Sequence, residues 1–295
     1  MVLLHDKSRL KKFFYLTVFS VFFSLWAFLL SAPFLRVLRK AFGPLAYWLL
    51  GAVFVTALIG LKMLPMAIFV ASFWMTLGAY NELEQRGLSW NWSGPISIGS
   101  GLLVATLGAW LLTKNAEVTL LDQLNASANE VVASIKQVNP KLEIDPVKLI
   151  QAIPAALISL LIVALGVSLI FESRVFRWMS LPRERVASQL KLLEYKVPEP
   201  FIWIALLGFL FSFENFGNEW LSVLGMNVTI ISVVLYFFQG LSVLEVLLLA
   251  IRAGVFSRIL AYFVFIMQLP MLLSMVGFID YWVDMRRRIR KMRAL

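Results

Sequence analysis

Residues Leu221 to Ile251 read LSVLGMNVTIISVVLYFFQGLSVLEVLLLAI, with Glu245 as the only charged residue. A helix built from this run is apolar on every side, which a helix at the surface of a soluble protein is not. About 20 such residues cross a hydrocarbon core of roughly 30 Å. At 1.5 Å per residue the whole run would reach about 45 Å, so it is expected to tilt, protrude or break near Gly240. Within a bilayer only a helix, among single segments, satisfies its own backbone polar groups. The stretch therefore sets both the solvent and the fold class.

The same pattern extends in both directions. On the C-terminal side Arg252 and Arg258 precede the run Ile259–Trp282, which contains Pro270 and leads into Arg286, Arg287, Arg288, Arg290, Lys291 and Arg293. On the N-terminal side lie Phe201–Phe213, a mixed basic segment from Arg174 to Lys196, and Val147–Phe171, where Pro154 is expected to kink the helix. Before these come Ile96–Leu112, Leu64–Tyr80, Ala41–Leu61 and Phe13–Phe34, with Arg36, Arg39 and Lys40 as an interruption after the first run. Phe13–Phe34 is longer than the 7–15 residues usual for the apolar region of a signal peptide, so it reads as a retained span. In Ile96–Leu112, Gly99, Gly101, Ala105 and Gly108 allow close helix packing in lipid.

The expected fold is all-α: a polytopic transmembrane bundle of about eight spans. It divides into N-terminal helices (1–113), a polar insert (114–146), and C-terminal helices with a basic tail (147–295). Inside the insert Leu121, Leu124, Ala128, Val131, Ile135 and Val138 recur at heptad spacing. They predict an amphipathic helix, lying on the membrane or serving a partner or a second copy of the chain.

Composition excludes much. The 295 residues carry no cysteine and one histidine, His5. Thiolate metal sites, cysteine nucleophiles and a histidine-based triad within the chain are therefore ruled out. No P-loop, dinucleotide fingerprint or HExxH motif occurs. The expectation is a non-enzymatic protein with no cofactor and no bound metal. The net charge of +10 sits beside apolar runs, where it anchors the protein to anionic headgroups rather than to nucleic acid. The basic residues from Arg286 to Arg293 are the expected headgroup contacts. The positive-inside rule places both termini in the cytoplasm, although Arg174–Lys196 then falls outside.

Val197-Pro198-Glu199-Pro200-Phe201-Ile202-Trp203, Tyr236-Phe237-Phe238-Gln239-Gly240-Leu241-Ser242-Val243, the loop from Arg252 to Arg258, and Gly277-Phe278-Ile279-Asp280-Tyr281-Trp282-Val283-Asp284-Met285-Arg286 resemble the YybS-like family of bacterial membrane proteins. The resemblance implies a multi-pass protein of the bacterial cytoplasmic (inner) membrane and carries no established activity. The family's helix arrangement is similar to that of the substrate-binding components of energy-coupling-factor vitamin transporters. That similarity implies a transport-related component that binds a small ligand or lipid and works with a separate ATPase. The insert 114–146 departs from such a compact component.

Polar residues within apolar runs are the candidate ligand contacts, because they are costly in lipid. They are Glu245, Gln239 beside Gly240, and Gln268 near Pro270, the last two where a broken helix would free backbone groups. Asp280 and Asp284 lie one helical turn apart and could pair for a cation or with Arg287 and Arg288. Glu214 and Glu219 share a polar loop. The competing expectation is a membrane scaffold or assembly factor acting through the 114–146 helix and the basic C-terminus.

Overall fold

The computed structural model describes residues 7–114, 120–139, 145–182, 192–213 and 218–294, and all of its regular structure is helical. Among the described residues thirteen α-helices follow one another: α1 Lys7–Trp26, α2 Phe28–Phe42, α3 Pro44–Gly60, α4 Leu64–Gln85, α5 Trp90–Lys114, α6 Leu120–Val138, α7 Pro146–Gln151, α8 Ile153–Trp178, α9 Phe201–Phe213, α10 Glu219–Ala250, α11 Val255–Phe263, α12 Pro270–Val283 and α13 Met285–Ala294. A short 3₁₀ turn (Leu192–Glu194) precedes α9, and a π turn (Val264–Gln268) follows α11.

Among the described residues, α4, α5, α8 and α10 are long and apolar enough to cross a membrane. α11 with its π turn and α12 adds a fifth if that pair, bent by 98°, is one broken span. The runs Ala41–Leu61 and Phe201–Phe213 form the shorter apolar helices α3 and α9, of 17 and 13 residues.

Two local expectations are corrected, and for the longest run one of three alternatives is removed. Phe13–Phe34 is not one helix: Ala27 leaves helical geometry (φ −149°, ψ 61°) and the chain turns back. Phe13 then meets Phe42 and Phe19 meets Phe34, with ring centroids 5.1 and 5.5 Å apart, so α1 and α2 form an antiparallel hairpin. Pro154 does not kink a helix interior. It sits in the first turn of α8, where its missing N–H has no intrahelical partner to lose. α10 runs unbroken through Gly240 for 32 residues.

Gly240 serves contact instead. A Cβ there would lie 1.9 Å from the carbonyl oxygen of Leu273, and one at Gly277 would lie 2.0 Å from that of Tyr236. The two glycines let α10 and α12 pack backbone to backbone, running in the same direction from the Val233–Ser274 contact to the Gln239–Asp280 contact, at a distance no larger residue permits.

The chain divides into two compact units. Met1–Ile153 with Leu160–Gln189 forms the first, and Pro154–Ser159 with Leu190–Leu295 the second. In the first, the core gathers Leu16, Leu35, Leu38, Tyr47, Phe73, Leu77 and Leu161. α3 packs antiparallel on α4, with Gly51 under the ring of Trp74 and Gly78 under that of Trp48, and α4 packs on α5, where the Ser72 hydroxyl donates to the Gly101 carbonyl (2.8 Å). In the second, α9, α10 and α12 pack around Gly208, Gly225, Gly240 and Gly277. Gly240→Ala and Gly277→Ala are each expected to cost about 1–3 kcal/mol by overpacking. Gly99→Ala, which meets nothing within 4 Å, should be neutral or stabilising by up to about 1 kcal/mol. Unfolding midpoints in detergent check the contrast.

Candidate functional site

α2 carries Arg36, Arg39 and Lys40 at i, i+3 and i+4, which places them on one helical face. That face turns into the first unit, and Arg36 is 0% exposed. Its guanidinium is bonded on every side. Nε donates to Glu172 Oε2 (2.7 Å), Nη1 to Asn81 Oδ1 (2.8 Å), and Nη2 to both carboxylate oxygens of Glu84 (2.7 Å). Lys40 Nζ reaches Glu172 Oε1 at 3.0 Å and Glu84 Oε2 at 3.1 Å. The Tyr80 ring lies 5.2 Å from the Arg36 guanidinium carbon. Beside this cluster Arg39 bonds Glu82 (2.8 Å) and Gln85 (2.9 Å). Arg36 and Lys40 offset Glu84 and Glu172 charge for charge. Each buried charge is paired and hydrogen-bonded, the condition under which buried ions are tolerated. The cluster lies almost wholly out of solvent, with Lys40 at its edge, and ties α2, α4 and α8 together. Sequence reading took the three cations as an interruption between spans. The signal that would have placed them inside was their i, i+3, i+4 spacing, matched by Glu82, Glu84 and Gln85 at the end of α4.

The second unit has a polar cluster of its own around Gln239, which is buried. Its side-chain oxygen accepts from the Val197 N–H (3.0 Å) and its amide donates to Asp280 Oδ2 (3.1 Å). Arg286 completes the set: Nε and Nη2 meet Asp280 Oδ2 at 3.0 and 2.9 Å, and Nη1 donates to the Tyr195 carbonyl (2.7 Å) and the Ser242 hydroxyl (3.3 Å). The residue expected among the headgroup contacts is thus turned inward. Asp280 pairs with Arg286 rather than with Asp284, Arg287 or Arg288. The physical reason is Asp284, whose left-handed conformation (φ 47°) ends α12 and resets the helical phase.

The remaining candidates are dispersed. Glu245 accepts from the Tyr262 hydroxyl and lies 4.0 Å from Arg258. Gln268 is exposed at the bend before Pro270. Gln239 and Glu245 therefore engage different neighbours, and Gln268 stands apart from both at the exposed bend. In α6, Ala128 and Val132 are the buried positions, Leu124 and Ile135 are half-buried, and Val131 and Val138 are exposed, the latter 87%. The buried stripe is rotated from the heptad read in sequence. Glu219 opens α10, whose N-cap is Asn218. Arg287, Arg288, Arg290 and Lys291 are exposed on α13. Glu214 and the side chains of Leu121 and Arg293 lie outside the described residues. No group of three or more His, Asp or Glu capable of holding a metal occurs among the described residues.

What the second unit does form is a cleft of about 320 Å³ between α9, α10 and α12. Ala205, Phe209, Val233, Met271, Met275 and Phe278 give it apolar walls, with Tyr236, Thr229, Ser232 and Ser274 as the polar points. The Ser232 and Ser274 hydroxyls donate to backbone carbonyls within the unit (2.7 and 2.9 Å), whereas the Thr229 hydroxyl has no partner among the described residues. Its size and lining are those of a small-molecule site.

Residues 12–281 match the family described as "Predicted membrane protein (DUF2232)". The chain belongs to this family. It is the YybS-like family that the C-terminal stretches resemble, and the match extends across most of this DUF2232 chain. No curated protein and no solved structure matches it.

Arg36→Met in this DUF2232 protein removes the guanidinium from between two buried carboxylates and is expected to cost about 3–5 kcal/mol. Arg36→Lys should rescue little, because an ammonium cannot reproduce the three-sided fork. Thermal unfolding followed by size-exclusion chromatography reads both.

Proposed function

We propose that this membrane protein is a non-enzymatic binder of one lipid-like or otherwise apolar small molecule, held in the cleft between α9, α10 and α12. The cleft itself carries the reading: its walls are apolar, it has the volume of a small-molecule site, and Thr229 brings an uncommitted hydroxyl that a rotation about χ1 would offer to a ligand. The polar cluster of Gln239, Asp280 and Arg286 has the supporting role of fixing α12 against α10. In this reading the protein works in a bacterial inner membrane with cytoplasmic termini. If the ligand is moved across the bilayer, the energy comes from a separate ATPase, because the chain has no nucleotide motif.

The test is purification in mild detergent followed by mass spectrometry of the extracted small molecules. Wild type should carry one apolar species near stoichiometry. Ala205→Trp and Thr229→Phe, which fill the cleft, should each lower it at least tenfold while the protein stays monodisperse. Retention of the same species at the same ratio by both variants would sink the assignment.

The exposed Val131 and Val138 on α6 favour a second reading, a scaffold that docks a partner on that face. Val131→Asp with Val138→Asp should then shrink the complex recovered from native membranes. An unchanged complex size eliminates this reading.

A further inference from the structure

A second pocket, of about 450 Å³, lies where the 3₁₀ turn Leu192–Glu194 faces α13. Arg287, Arg290 and Lys291 line it together with Glu194, Asp284 and the edge of Arg286. The three outer cations stand at i, i+3 and i+4, so they share one face of the helix. Among the described residues no carboxylate pairs with any of them, and Arg290 only donates to the Leu193 carbonyl (3.3 Å), which holds the helix over the turn. Arg286 does not compete for a ligand, since Asp280, Ser242 and the Tyr195 carbonyl occupy it. It anchors the start of α13, so the cation face is held on a fixed base instead of swinging on a free tail.

We infer that Arg287, Arg290 and Lys291 form a stoichiometric site for a phosphate-bearing anion, supplied either by a phospholipid headgroup or by a free phosphorylated compound. Two guanidinium forks and an ammonium line one pocket and outnumber its two carboxylates, Glu194 and Asp284; for a phosphate the forks would donate in pairs and the lysine add a point charge. Diffuse attraction to an anionic surface would need no pocket and would weight every basic residue by its distance from that surface. The site predicts something different, namely that Arg288, one position round the helix and outside the pocket, contributes little. This inference stands on α13 and is independent of the apolar cleft.

The test uses the full chain with two probes. Native mass spectrometry of protein released from micelles doped with phosphatidylglycerol counts retained lipid, and isothermal titration with inorganic pyrophosphate reads the free anion. One retained phosphatidylglycerol, or saturable pyrophosphate binding at one per chain, is expected for wild type, and the probe that binds identifies the source. The triple variant Arg287→Gln, Arg290→Gln, Lys291→Gln should lower that binding at least tenfold, and Arg288→Gln should leave it within twofold. All four side chains are exposed, so folding is not at stake, and the unfolding midpoint confirms it. The inference is overturned if neither probe binds wild type, if the triple variant binds as wild type does, or if Arg288→Gln alone weakens binding as much as the triple change.

Discussion

A guanidinium with no solvent exposure is tolerable only if its donors are met, and the first unit is arranged around meeting those of Arg36. Its partners Asn81, Glu84 and Glu172 lie 45, 48 and 136 residues away. None can be supplied locally, so α2, α4 and α8 must be assembled together before the charge is satisfied. An apolar core of equal volume would often be as stable. What the ion network adds is register: a slip of one residue in any of the three helices would leave a charge unpaired.

The second unit solves its packing by different means. Gly240 and Gly277 bring two backbones into contact, which gives dispersion attraction and close fit in a solvent that supplies no hydrophobic drive between helices. Gln239, Asp280 and Arg286 then act as a small polar clasp at one end of that contact. The apolar cleft opens between the same helices, so its shape is inherited from the glycine contact and the clasp.

The helices were legible in sequence because apolar length is a strong signal: α4, α5, α9 and α10 lie close to the runs read from hydropathy. The break at Ala27 was not, since no glycine, proline or polar residue punctuates Trp26 to Leu30. Gly240 was misread because a glycine that permits close approach and one that weakens a helix look the same in one dimension. The burial of Arg36 depends on partners far along the chain, which no local window contains. Gln239 was singled out as costly in lipid, and its hydrogen bonds go to the protein itself. The cleft residues carried no distinguishing pattern at all, because alanine, valine, methionine and phenylalanine are what every neighbouring surface also uses.

The left-handed turn at Asp284 bears on how the chain enters the bilayer. A lone carboxylate at Asp280 would burden the insertion of α12 by a few kcal/mol. The turn instead folds Arg286 back across six residues, so anion and cation meet through local geometry without waiting for another helix. The segment can therefore be handed to the membrane as a neutral dipole already closed on itself, whereas the charges around Arg36 can be neutralised only after three separate helices have arrived.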